Sequence, residues 1–214
     1  RLGGSDADEA VVRRAHRLFG AYLTVVGSSR VLDKYPELVF RIPFVRSIFP
    51  DAQFLFVVRN GWDTIRSVDA WSDRHGTESD GDQHDWWGVD DRKWRLLVEQ
   101  VATTHPALRG QRKELLGLDR HVDRAALEWA LAMGDGLEYE EKYPDAITRI
   151  RYKRFVRDPG LEIERIVREC GLTPDNTPIA YAQQAVRSPC HKQSVELAPC
   201  VRTIFLDVMD ALAN

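Results

Sequence analysis

Arg59 and Ser67, eight residues apart in FLFVVRNGWDTIRS (residues 54–67), are the pair in this sequence best suited to chemistry. An apolar run stops at the arginine, Gly61 lets the backbone turn tightly, and an amphipathic helical pattern follows. A guanidinium offers a rigid donor fork that matches phosphate oxygens. The helix start adds free N–H groups, and Ser67, about a turn inside, adds a hydroxyl. In open α/β sheets such groups gather at the carboxyl ends of strands, where ligands bind. Two readings follow: a phosphate-binding corner, or an arginine paired to a neighbouring helix with a serine facing solvent.

The other chemistry-bearing types are scattered. Trp86 and Trp87 stand beside a polar stretch, DRHGTESDGDQHD, whose composition predicts a mobile loop over residues 74–88. The two tryptophans either close over an acceptor or anchor the loop to the core. Asp8 and Glu9 suit the N-terminus of a helix better than catalysis, and Asp90-Asp91 reads as helix-start charge without metal-site partners. His16, His75, His84 and His105 single out no general base. Cys170, Cys190 and Cys200 have no CxxC spacing, which argues against a disulfide framework or a zinc site and for a cytoplasmic setting.

These residues need elements to hold them. Acidic residues followed by an apolar stripe predict a helix over 6–25. An extended VLDK piece leads to Lys34-Tyr35-Pro36 and a second helix that Pro43 should bend or interrupt. QFLFVV and AITRIRY read as short buried strands, as in a parallel sheet. Helices are expected near 90–103 and over 123–142, the latter softened at Gly134 and Gly136. DPGLEIERIVRECGL should form a helix ended by Gly171, and CVRTIFLDVMDALA a last one. Strand–helix alternation predicts an α/β protein: a P-loop-like three-layer fold with a central parallel sheet flanked by helices.

Composition sets the class. The 214 residues allow a single domain over 1–214, and 43% hydrophobic with 29% charged residues describes a globular protein. A net charge of −3 argues against a nucleic-acid partner. No apolar run is long enough for a membrane span.

The run from Leu32 to Ser67 resembles the middle of a sulfotransferase that uses 3′-phosphoadenosine 5′-phosphosulfate (PAPS). The shared features are a Lys-x-Pro element, a helix ending in Phe-Pro-x-Ala, a strand ending in Arg, and a Ser eight residues on. The likeness is greatest to bacterial and tyrosylprotein-type members. It implies that Arg59 and Ser67 bind the donor's 3′-phosphate. It also places Lys34 near the transferring group, where a cation would offset charge on the departing phosphate oxygen; otherwise Lys34 is a surface lysine before a helix. RYKRFVRDP (151–159) is similar to the family's Arg-Tyr-Glu-Asp-Leu-Val-x-Asp-Pro element, which implies that Tyr152 borders adenine rather than merely edging the core. Lys153 and Arg154 replace the usual acidic pair. The SPCHKQSVELAP tail is similar to the donor-covering loop, which implies phosphate contacts from Ser188 and Lys192, although the glycine-lysine-tryptophan signature is missing.

The resemblance thus implies sulfuryl transfer to an acceptor hydroxyl or amine on a small molecule, peptide or glycan. The product would be adenosine 3′,5′-bisphosphate (PAP), and no metal is required. The family's phosphosulfate loop finds no counterpart, neither GxxxxGK[ST] nor a Ser-Gly-Thr version. The expectation is that this loop and the general base lie upstream of Arg1. The rival readings are a non-catalytic 3′-phosphonucleotide-binding protein and a P-loop phosphotransferase; the latter needs a Walker lysine and acidic magnesium ligands.

Overall fold

The computed structural model describes residues 1–79, 82–186 and 194–213. Helix α1 (Glu9–Val26) starts at Asp8, whose carboxylate accepts from Val11 N at 2.8 Å, and ends at Gly27 in the left-handed conformation. The VLDK piece stays extended and exposed. A 3-10 turn, Pro36–Arg41, then gives way to α2 (Ile42–Ile48), with Pro43 in the first turn of the new helix. Proline therefore splits the predicted helix, because its ring cannot sit inside a continuous one.

Strand β1 (Phe54–Val58) leads through Asn60 into α3 (Gly61–His75). The Asn60 side chain caps this helix by accepting from Asp63 N at 3.2 Å. The predicted loop at 74–88 instead contains the last turn of α3 and a short antiparallel hairpin, β2 (Thr77–Ser79) with β3 (Asp82–His84). Helices α4 (Arg92–Gln100) and α5 (Arg112–Leu116) lead to α6 (His121–Lys142), the hub of the core. Between Val122 and Leu131 nearly every α6 residue is buried, as expected of a helix with neighbours on all sides. The predicted softening at Gly134 and Gly136 does not occur. Gly136 is there because an added Cβ would lie 2.2 Å from the Phe56 ring, so only glycine lets α6 approach β1 this closely.

Strand β4 (Ile147–Arg151) pairs parallel to β1, Val58 opposite Arg151. Helices α7 (Tyr152–Arg157), α8 (Pro159–Glu169), α9 (Asn176–Ala185) and α10 (Pro199–Ala213) complete the chain. Because Ala146 O accepts from Phe54 N across the ladder, the carbonyl of Arg149 points to the outer edge of β4. There Arg165 donates to it at 3.0 Å, so a side chain from α8 covers part of an edge that would otherwise be open.

The expected P-loop-like three-layer α/β fold is incorrect. The described residues are mostly helical, and their parallel sheet has only the two strands β1 and β4. Only QFLFVV and AITRIRY combine short length with the β-branched and aromatic content a buried strand needs. Elsewhere the apolar residues recur at helical spacing, and packing of α3 and α10 on α6 builds the core. Strand–helix alternation at two places was too little to establish a covered central sheet.

Candidate functional site

The β1–β4 register brings the two separate sequence patches to one corner. Arg59 follows the last residue of β1 and Tyr152 follows the last residue of β4, and Val58 and Arg151 are partners. The Arg59 guanidinium carbon lies 5.0 Å from the Tyr152 ring centroid, within cation–π range. The Arg59 carbonyl accepts from Trp129 Nε1 at 3.2 Å, fixing the turn from the α6 side. Gly61 is needed in that turn, since a Cβ would meet the Phe205 ring at 2.6 Å.

The other end of the Arg59 side chain is the informative one. Its Nε is buried and has no hydrogen-bond partner among the described residues. A buried donor on a cation is costly to leave unsatisfied. An anion beside Tyr152 would offset the guanidinium charge through its terminal nitrogens.

Ser67 is half-buried on α3. It belongs to a stripe at helical spacing, Asn60, Thr64, Ser67 and Trp71, that starts beside Arg59 and runs about 16 Å along the helix. Trp71 closes the stripe by meeting Trp86 edge to face, ring centroids 5.5 Å apart. Trp86 is therefore at the far end of the helix face that begins at the Arg59 corner. Sequence reading missed Trp71, although its position four residues after Ser67 was a usable signal.

The two tryptophans of the pair part company. Trp87 is fully buried, donates to His121 Nδ1 at 2.8 Å and packs edge to face on Trp94. It is a core anchor and cannot touch an acceptor. Trp86 is partly exposed and donates to Glu128 Oε2 at 2.9 Å. Lys93 bridges Glu128 (2.7 Å) and Glu37 (3.0 Å) and lies 4.4 Å from the Trp86 ring. Burial pulls the Lys93 ammonium down, but the attraction of Glu128 and Glu37 outweighs it and holds the pKa above the usual lysine value. This ion network, absent from the sequence reading, ties the Pro36–Arg41 turn to the tryptophan loop. Lys34 lies just before that turn, exposed in the extended segment. Ser188 and Lys192 lie outside the described residues.

Asp8, Asp91 and His16 serve local structure, Asp8 as the cap of α1. Asp91 grips Arg124 through both oxygens, at 2.6 and 3.0 Å. His16 pairs with the Ile48 carbonyl and stacks on Phe49, so it faces α2 rather than solvent alone. No group of three or more metal-ligating side chains converges among the described residues, and none of their helices is long and apolar enough to cross a membrane.

Neither a family model, nor a curated protein, nor a solved structure matches this chain. The functional reading therefore rests on the sequence resemblance together with the geometry of the Arg59 corner.

Proposed function

We propose that the chain binds a 3′-phosphonucleotide, and that its activity is sulfuryl transfer from PAPS to an acceptor hydroxyl or amine. The observation that supports this is the Arg59 guanidinium, stacked on Tyr152 with its buried Nε lacking a partner. In this reading Arg59 and Ser67 hold the 3′-phosphate and Tyr152 flanks the adenine. Lys34 meets charge building on the departing phosphate oxygen, and Trp86 borders the acceptor. The donor supplies an activated sulfuryl group, so the protein's part is positioning and electrostatic stabilisation. A site of this kind can be grafted on many scaffolds, so a mostly helical fold does not oppose the reading.

Calorimetry with PAP, and separately with ATP, tests it. PAP should bind with a clear preference over ATP, and Arg59→Gln should weaken PAP by about tenfold or more, the loss expected for a charge-assisted contact to phosphate. Ser67→Ala should cost less, about three- to tenfold, because it removes one neutral donor. Absence of PAP binding, or equal binding of ATP, would falsify the proposal. Binding of PAP without transfer from PAPS to any acceptor would leave only the nucleotide-binding half.

A further inference from the structure

Five residues line a cavity of about 180 Å³ beside the outer edge of β4: Arg149, Arg151, Arg154, Glu162 and Arg165. The wall carries four guanidiniums and one carboxylate. Glu162, fully buried, is drawn between two of them: its Oε2 accepts from Arg165 at 2.9 Å, and its Oε1 is in ion contact with Arg154 Nε. Two further acids act from behind the wall, Glu140 on Arg149 and Glu169 on Arg165. Counting these, the named groups are still four cations to three anions.

Edge protection accounts for part of this cluster. Arg165 covers the Arg149 carbonyl, and Arg149 ties β4 to α6 through Glu140. Arg151 and Arg154 are not needed for that task. Arg151 donates to the Leu212 carbonyl at 3.3 Å, and the Arg154 side chain is 59% exposed at the mouth. Around them RIRYKRFVR (149–157) holds five cations and no acid, in a chain of net charge −3. Lys153, Arg154 and Arg157 all face solvent. Concentrated like charge of this kind repels itself unless an anion offsets it.

We propose that this cavity binds a tetrahedral oxyanion, a phosphate or sulfate group, at a site separate from the Arg59–Tyr152 corner. The cavity is well below the ~300 Å³ at which pockets for drug-sized ligands begin, so it takes a small group rather than a whole ligand. Arginine forks matched to tetrahedral oxygens provide the selectivity. The site is independent of the nucleotide reading, and Arg154 would serve it in addition to its ion contact with buried Glu162.

The full chain would be titrated with inorganic phosphate and with inorganic sulfate, and in parallel arms with glucose 6-phosphate and glucose 6-sulfate. The readouts are calorimetry and the arginine Nε–H resonances in NMR spectra. Saturable binding should perturb the Arg151 and Arg154 resonances, and Arg154→Gln should weaken it about tenfold, as expected for one charge-assisted contact. Arg59→Gln should leave this binding unchanged while weakening PAP binding by about tenfold or more, which separates the two sites. Binding by an ester but not by the free ion assigns the group to a larger ligand. The proposal is overturned if none of the four probes saturates the wild-type chain, if Arg154→Gln binds as well as wild type, or if the anion is lost with Arg59→Gln instead. The NMR readout on the wild-type chain keeps the test decisive even if the variant folds poorly.

Discussion

Single residues in this protein are perturbed where helices crowd them, and Asp135 on α6 is the clearest titratable case. Burial pushes its carboxyl up to about 6, the charge of Glu138 pushes the same way, and Arg1 offsets only part of it. The ordinary carboxylate value is about 3.9, so between pH ~4 and ~6 the folded state holds a proton that the unfolded state has lost. Stability from this group is therefore complete below pH ~4 and is lost as pH rises through 6. The size is on the order of 2–3 kcal/mol, given that the side chain is only 12% exposed. Asp135→Asn removes the titrating proton, so urea denaturation of the variant should show a flatter stability profile between pH 4 and 6 than wild type. An unchanged slope would mean that Asp135 titrates normally. Arg59 illustrates the limit of the sequence at this scale. Its type and spacing were legible in FLFVVRNGWDTIRS, but its stacking on Tyr152 depends on which strand lies beside β1, and no local pattern encodes that.

At the scale of elements the reading was uneven for identifiable reasons. Helices with strong period and clear caps came through: α1 at Asp8, α8 ending before Gly171, and α10 are where the pattern put them. Two strands were legible because QFLFVV is short and apolar and AITRIRY is short with β-branched and aromatic residues. What misled was extrapolation from two strand–helix units to a full sheet, when most apolar residues serve helix–helix contacts around α6. The loop prediction at 74–88 rested on composition, which cannot foresee that Thr77–Ser79 and Asp82–His84 pair as antiparallel strands. Trp87 shows a related limit, since an aromatic next to polar sequence can be a pocket wall or an anchor, and only packing decides. The α6–β1 contact yields a sharp test. In an open helix Gly136→Ala would gain about 1 kcal/mol from helix propensity. Here the added methyl strikes the Phe56 ring, and overpacking of a tight core costs about 1–3 kcal/mol plus backbone shifts. The variant should lose about 1 kcal/mol net in chemical denaturation, and up to about 2 where the core yields least, and Phe56→Leu should recover part of the loss in the double mutant. A Gly136→Ala protein more stable than wild type would show that α6 and β1 are further apart than this.

Across the whole molecule, burial is distributed unequally between its two ends. Helix α6 is enclosed by α3, α10 and β1, whereas α1 buries none of its residues fully. The contacts of α1 are made by one side, where Phe19 and His16 meet Phe49 on the neighbouring turn. Its opposite face leaves Leu18, Tyr22 and Val25 exposed, and the extended segment after it leaves Leu32 exposed as well. An isolated helix of this length is marginal in water, because nucleation is costly and only packing repays it. Its stability in the folded chain is therefore set by few contacts, and it should open without the core opening. Native-state hydrogen exchange on the full chain reads this directly. Backbone amides in the C-terminal half of α1 should exchange at least about a hundredfold faster than those of α6 between Val122 and Leu131, since the latter open only with the core. A rise in α1 protection with protein concentration would locate a covering partner in a second copy of the chain. Protection equal to that of α6 at every concentration would refute the picture of a one-sided helix, because it would require contacts on the face that holds Leu18, Tyr22 and Val25.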